Sequence, residues 1–319
     1  RRAITVAGSP INLGLIGAGP WGKIYIKTIA GLEGVQLAHL ASGNSDSKSL
    51  VDSDCKISTD WRELIADKII SGVIIATPPQ HHAEIACAAL DAGKAVLVEK
   101  PMTLDVNEAD EIRECAIANN GLVLVEHTHL FRPAYREIKD RIATSGPARG
   151  VWSSVGDHGP YRRHTPVLWD WGSHEVALAL GVLERTPVSV AARVLERREV
   201  EGGIGENHHL RLTFSESAVA DITFGNLTDR HRRFAVFFDD TVLAYDDAVP
   251  GQLMEYPAQL DVAEPKGEGR AIPISNEMPV TVAVREFANA ISNGDTSTAS
   301  LDQGVEVTRI LAQCQERMG

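Results

Sequence analysis

Leu13-Gly14-Leu15-Ile16-Gly17-Ala18-Gly19-Pro20-Trp21-Gly22 is the stretch whose reading decides the fold. Four apolar-flanked residues run as a buried strand straight into G-x-G-x-x-G. In such a turn Gly17 permits the sharp reversal, Gly19 lets bare backbone approach a pyrophosphate, and Gly22 lets the following helix pack close to the strand. The diphosphate then lies at the positive end of that helix, among its free N–H groups. Glycines alone also mark ordinary loops. Here the motif follows a strand, opens a helical segment from Lys23 to Leu32, and precedes a second strand, Val35 to Ala41. That context reads as dinucleotide binding.

The rest of the first 127 residues repeats the alternation. Short apolar strands are expected at 12–16, 35–41, 72–76, 95–98 and 122–126, with helices at 21–32, 61–67, 82–92 and 106–119 between them. Strands without polar alternation suit a parallel sheet covered on both faces, and right-handed crossovers stack such units into a doubly wound Rossmann-type sheet. Past residue 127 the pattern changes. After a helix at 133–144 and the break Ser145-Gly146-Pro147, strands at 150–155, 188–195, 209–214, 218–224, 233–238 and 241–245 are predicted. Several alternate, as in His209-Leu210-Arg211-Leu212-Thr213-Phe214, which is the signature of an antiparallel sheet with one covered face. A helix at 167–183 interrupts them, residues 251–279 read as an extended loop with short strands, and helices at 280–292 and 301–318 follow. The expectation is a dinucleotide-binding domain at 1–127 and an α+β domain with a large, mostly antiparallel open sheet at 128–319.

Bulk composition narrows the function classes. The 319 residues, 44% hydrophobic and 23% charged, are ordinary for a globular protein with two cores. A net charge of −12 argues against a nucleic-acid surface, and no apolar run reaches the ~20 residues of a membrane span. The opening Arg1-Arg2-Ala3-Ile4 carries no signal-peptide core. The four cysteines (55, 87, 115, 314) form no C-x-x-C, and three of them fall in helical segments and read as small core residues, so a cytoplasmic location is expected.

Ligands on open α/β sheets bind outside the carboxyl ends of the strands, so the strand tips are the places to look. The second strand ends in Ser42-Gly43-Asn44 with no acid at its tip. Ser42 and Asn44 can hydrogen-bond a 2′-phosphate, with Lys48 near in sequence, so NADP is favoured; Asp46 keeps NAD open. Thr77-Pro78 follows the next strand and belongs beside the cofactor. Glu99-Lys100-Pro101 follows the one after. There an ammonium at Lys100 points into the crevice and can stabilise a forming alkoxide, and Pro101 fixes the chain. Far along the sequence, Asp170 and His174 share one face of a helix start in Asp170-Trp171-Gly172-Ser173-His174. Histidine suits proton removal from a secondary alcohol near neutral pH.

These motifs together resemble the Gfo/Idh/MocA oxidoreductases, the relatives of glucose–fructose oxidoreductase and inositol dehydrogenase. The likeness spans nearly the whole chain and rests on 17–22, Thr77-Pro78-Pro79 with His82, Glu99-Lys100-Pro101, and Asp170 through His174. The Glu-Lys-Pro and D-x-G-x-H elements carry most of its specificity. The resemblance implies Lys100 and His174 as the proton-handling pair with Asp170 in support. It implies cofactor contacts from Gly17, Gly19, Pro20, Trp21, Gly22, Thr77, Pro78, His82, Glu99 and Lys100, and Ser42-Gly43-Asn44 is similar to the NADP-binding turn of the glucose–fructose oxidoreductase branch. It also implies a homodimer or homotetramer through the outer face of the open sheet. Where the family usually has an aromatic residue or asparagine after the fifth strand, this chain has His127-Thr128-His129.

Four residues are further substrate candidates: His127, Tyr161, Arg162 and Arg163. The arginines offer planar forks to a carboxylate or phosphate. No Asp, Glu or Cys completes a local ligand set around His127 and His129, so no metal is expected. The combined expectation is an NAD(P)-dependent dehydrogenase or reductase acting on a secondary alcohol or ketone of a sugar, cyclitol or related polyhydroxy compound. Two alternatives stay open: a glycoside hydrolase working by transient oxidation with retained NAD, and a non-catalytic dinucleotide-binding sensor.

Overall fold

A computed structural model describes residues 10–162 and 165–318. The chain divides into two compact units, one of residues 1–126 and 280–305, the other of 127–279 and 306–319.

The first unit carries β1 (Ile11–Ile16), α1 (Pro20–Ala30), β2 (Val35–Ala41), β3 (Lys56–Ser58), α2 (Trp61–Ile65), β4 (Gly72–Ile75), α3 (His82–Asp91), β5 (Ala95–Glu99), α4 (Val106–Ala118) and β6 (Val123–Glu126). Its strands form a parallel sheet in the order β3-β2-β1-β4-β5-β6. The side chains divide between two cores. Val73 and Ile75 of β4 and Val96 and Val98 of β5 join Ala86 and Leu90 of α3 and Ile112 and Ala116 of α4. Ile74 and Leu97, one residue out of phase, join Leu13, Leu15, Tyr25 and Ile29. A strand buried on both faces has no polar positions to spare, which is why these runs read as continuously apolar. The three-residue β3 escaped the sequence reading, being shorter than any period can define.

The second core holds a correction. The sequence reading put everything past 127 in one domain, yet Val280, Val284 and Phe287 pack into the core of the first sheet. They lie on a helix, Pro279–Asn293, whose apolar stripe needs a partner, and the lower face of β1, β4 and β5 supplies it. Fully buried Phe287 contributes about 1.5–3 kcal/mol there. A second correction concerns the cysteines. Cys87 on α3 and Cys115 on α4 form a disulfide across Cα atoms 5.5 Å apart, because the two helices pack side by side on the same sheet face. Cys55 and Cys314 are free and buried.

The second unit opens with α5 (Pro133–Ser145), β7 (Gly150–His158) and α6 (Val167–Leu183). Then come β8 (Ser189–Val200), β9 (Gly203–Thr213), β10 (Val219–Gly225), β11 (Leu227–Phe237), β12 (Thr241–Asp246), β13 (Gln252–Pro257) and β14 (Arg270–Pro273). These strands form an eight-stranded sheet in the order β14-β13-β12-β11-β7-β10-β9-β8. All neighbours are antiparallel except β7 and β10. On β10, Ala220, Ile222 and Phe224 are buried while Val219, Asp221 and Thr223 are less so, the period-2 pattern of a sheet with one covered face. The covering element is α6, nearly all of whose residues are buried. The helix Pro279–Asn293 is α7; α8 (Ala299–Met318) belongs to the first unit up to Val305 and to the second from Glu306. Among the described residues no helix is long and apolar enough to cross a membrane.

Candidate active site

In the first unit the site is built from backbone. Gly17 has φ +102°, a conformation only glycine adopts without cost, and a Cβ there would sit 2.6 Å from the Ala76 carbonyl oxygen. A Cβ on Gly22 would sit 2.1 Å from the Gly17 oxygen. Both glycines are therefore demanded by the fold itself. Gly19 is not. It caps α1 with φ −73°, and a Cβ there would meet nothing within 4 Å. Neither conformation nor packing requires glycine at that point, which leaves open space at the helix N-terminus. Pro20 occupies the first turn of α1, and Trp21 packs partly buried against the core.

The strand tips around this turn carry the predicted polar residues. Ser42 Oγ accepts from the Asn44 N–H at 3.1 Å, and Asn44 Oδ1 accepts from the Asp46 N–H at 3.0 Å. The acceptors are thus used locally, leaving the Ser42 hydroxyl proton and the Asn44 amide as donors. Gly43 faces open space. After β4, Thr77 Oγ1 is buried without a hydrogen-bond partner, a polar atom waiting for one; Pro78 is exposed. These features fit a dinucleotide: a bare helix terminus for the pyrophosphate, an orphan hydroxyl beside it, and donors at the β2 tip.

His82 sits differently from its sequence expectation. It is fully buried on α3. One ring nitrogen is 2.9 Å from the Thr77 carbonyl, and the other is 3.2 and 3.0 Å from the carbonyls of Pro101 and Met102. Burial holds its pKa below the ordinary histidine range against those carbonyls. The ring joins the loop after β4 to the loop after β5, and so fixes the segment carrying Lys100. Lys100 is half-buried, follows β5, and precedes a cis peptide bond to Pro101. Its neighbour Glu99 accepts from the Tyr25 hydroxyl at 2.7 Å and from the Lys100 N–H at 3.2 Å. Burial, and then the Glu99 charge, push the Tyr25 phenol far above its usual range. Glu126 stands beside Glu99 in register at the tip of β6. Sequence reasoning missed Tyr25 and Glu126; the pairing of two parallel strand ends was the signal available.

In the second unit the site is built from side chains. Asp170 and His174 lie one turn apart on α6, and Gly172 between them explains the motif's spacing. A Cβ there would lie 3.0 Å from Phe224 of β10 and 3.0 Å from Leu311, so glycine seats the helix on the sheet. Arg162 Nε donates to Asp170 Oδ2 at 2.8 Å and so helps to hold Asp170. The His174 ring stacks on His129 with centroids 4.2 Å apart and planes at 14°. His129 in turn contacts the Glu175 carboxylate at 3.4 Å and the Arg232 guanidinium. Glu175 accepts from the Ser153 hydroxyl, and burial raises its pKa while Arg232 opposes that rise. His127 is buried and Tyr161 half-buried; Arg163 lies outside the described residues. No group of three or more His, Cys, Asp or Glu is arranged to hold a metal among the described residues.

A 3-2-1-4-5-6 parallel sheet with a glycine turn at its switch point, and a lysine at the tip of β5, defines a Rossmann-type dinucleotide-binding oxidoreductase. Residues 11–127 match the family profile described as "Oxidoreductase family, NAD-binding Rossmann fold". Over 96% of this chain and all of the other, the structure is similar to an oxidoreductase from Magnetospirillum magnetotacticum MS-1, with 45% identity and a TM-score of 0.91. The chain is 23% identical to the 4-carboxy-2-hydroxymuconate-6-semialdehyde dehydrogenase of Sphingobium sp. (strain NBRC 103272 / SYK-6), covering 97% of this chain and 99% of that one. It is also 23% identical to the scyllo-inositol 2-dehydrogenase (NADP(+)) IolW of Bacillus subtilis (strain 168), covering 96% and 93%. The chain belongs to the Gfo/Idh/MocA oxidoreductase family.

Proposed function

We propose that this protein is a dehydrogenase or reductase that moves a hydride between nicotinamide and a secondary alcohol or ketone of a polyhydroxy compound, with NADP preferred. A bound nicotinamide supplies the hydride chemistry; the chain's own residues supply placement and proton handling. The ammonium of Lys100 donates to the reacting oxygen and stabilises negative charge there. His174 accepts the hydroxyl proton during oxidation and returns it during reduction. Asp170, held by Arg162, is a positioning residue that favours the charged imidazole from one turn earlier on the helix. The carrying observation is Gly19, whose missing side chain serves neither backbone geometry nor protein packing.

Substrate class is supported by relatives whose names give a cyclitol and a carboxylated semialdehyde. The preference for NADP is supported by the donor-only tip of β2 and the absence of a carboxylate at residues 42–44. Association through the open sheet is supported by exposed Val194, Leu195 and Ile204 on its β8–β9 edge; light scattering of the purified protein tests it. The test of function is native mass spectrometry for retained dinucleotide, followed by a panel of sugars, sugar acids and cyclitols with NADP and NAD at 340 nm. Substrate-dependent absorbance change with NADP supports the reading. Product release with unchanged absorbance overturns it in favour of hydrolysis.

A further inference from the structure

The second unit contains a cavity of about 470 Å³ whose wall is rich in both arginine and aspartate. Arg132, Arg230, Arg232 and Arg233 line it against three aspartates, in a chain whose net charge is −12. The pairing inside the wall is uneven. Arg233 is fully matched, by Asp246 at 3.1 Å and by Glu264 at 2.5 Å. Arg132 and Arg232 both reach Asp247, at 2.7 and 3.7 Å; Arg132 also donates to the Tyr245 hydroxyl at 2.9 Å, and Arg232 contacts His129 and lies in the field of Glu175. Arg132 Nε is buried with no hydrogen-bond partner, although a guanidinium N–H left unmatched in such a place costs free energy. Arg230 is exposed at the rim and has no ion-pair partner among the described residues. Arg230 and Arg232 therefore line the cavity with guanidinium N–H groups that no described carboxylate accepts from, whereas the Arg132 fork is closed on Asp247 and its Nε is sealed from the cavity. A fork of this geometry matches the paired oxygens of a carboxylate or phosphate.

The cavity adjoins the candidate proton-handling residue. Trp171, between Asp170 and His174 on α6, forms part of its wall, and His129, which stacks on His174, lies one turn of chain before Arg132. A ligand whose anionic group met the arginines would lie along the indole toward the histidine pair.

We propose that this cavity binds an anionic group on the substrate, a carboxylate or a phosphate, so that the compound oxidised or reduced is a polyhydroxy acid or phosphate ester and not a neutral sugar or cyclitol. The proposal rests on the dehydrogenase reading for which bond reacts, but not for whether an anion binds. Isothermal titration calorimetry on the full chain, with D-glucuronate, D-glucose 6-phosphate and D-glucose as probes, separates the two. At least one anion is expected to bind ten times more tightly than glucose, and which one does so distinguishes carboxylate from phosphate. Arg232→Met is expected to abolish that preference and Arg230→Ala to reduce it three- to tenfold. Arg230 is exposed, so its variant keeps the test valid even where Arg232→Met fails to fold. Equal or undetectable binding of all three probes overturns the proposal, as does an anion preference that Arg230→Ala leaves intact. Hydride transfer is followed separately at 340 nm. Arginine-dependent anion binding without hydride transfer to any compound sinks the dehydrogenase reading alone, whereas turnover confined to neutral compounds sinks the anion proposal alone.

Discussion

The two units solve the problem of a binding site in opposite ways. In the first, the functional surface is main chain: three glycines, a helix terminus and carbonyl-clamped loops, with Gly17 and Gly22 fixed by contacts their Cβ atoms would violate. In the second, it is a chain of packed side chains running from Asp170 through the His174–His129 stack to Glu175, Arg232 and Asp247. Backbone sites are set by local conformation and tolerate little change at few positions. Side-chain sites are set by packing and spread their dependence over many positions.

Replacing the reactive groups probes the contrast most severely. Lys100→Met and His174→Ala are each expected to lower turnover by about 10²–10⁴-fold, the usual range for lost acid–base or electrostatic groups. Dinucleotide affinity, measured by fluorescence titration, should remain. Wild-type rates in both variants would overturn their assigned roles. The glycines come next. Gly19→Ala should leave the melting temperature almost unchanged and weaken dinucleotide binding at least tenfold. Gly22→Ala, forced against the Gly17 oxygen, should destabilise the fold by about 1–3 kcal/mol, read in a urea titration. If the two variants behave alike, the distinction between a structural glycine and a ligand-facing glycine is lost. A smaller effect is expected at the β2 tip. Asn44→Asp places a carboxylate where a 2′-phosphate would lie and should shift the NADP-to-NAD ratio of kcat/KM toward NAD by roughly tenfold.

The smallest expected effect lies in the side-chain network. Glu175 has its pKa raised in the folded protein, chiefly by burial. A group raised in this way contributes its stability below its unfolded value, about 4.3, and loses it as pH rises through the folded value. Glu175→Gln removes that dependence. Its melting temperature should therefore gain on the wild type between pH 5 and 8, by roughly 2–4 °C if about 1 kcal/mol is at stake. A constant difference across that range would show that Glu175 stays charged throughout.

What could be read from the sequence follows the same division. The parallel strands and the glycine turn were legible because a doubly buried strand is continuously apolar, and because a φ near +100° at Gly17 admits almost no other residue. Lys100 was legible from its place after β5, and Asp170 and His174 from their four-residue spacing on a helix start. Arg132, His129, Glu175, Arg232 and Asp247 were not. They come from four separated segments brought together by the fold of the second unit, and no local period marks such a meeting. His82 reads as a ligand contact in sequence because its carbonyl partners, Pro101 and Met102, lie about twenty residues away. The Cys87–Cys115 bridge was hidden for the same reason, since neighbouring helices are revealed by topology and not by spacing. The placement of 280–305 was concealed by continuity, as nothing in the helical stripe of α7 says which sheet it covers.

That placement has a consequence for biosynthesis. The face of the first sheet that holds Leu13, Leu15, Ile74 and Leu97 receives Phe287 and its neighbours only from a far later segment. A ribosome delivers the intervening residues in roughly ten to forty seconds at about 5–20 residues per second. Throughout that interval the part of this side that α1 does not cover stays bare. The nascent chain is therefore a natural client for a hydrophobe-binding chaperone, and an abrupt stop codon after Glu126 should release an insoluble fragment rather than a free-standing nucleotide binder.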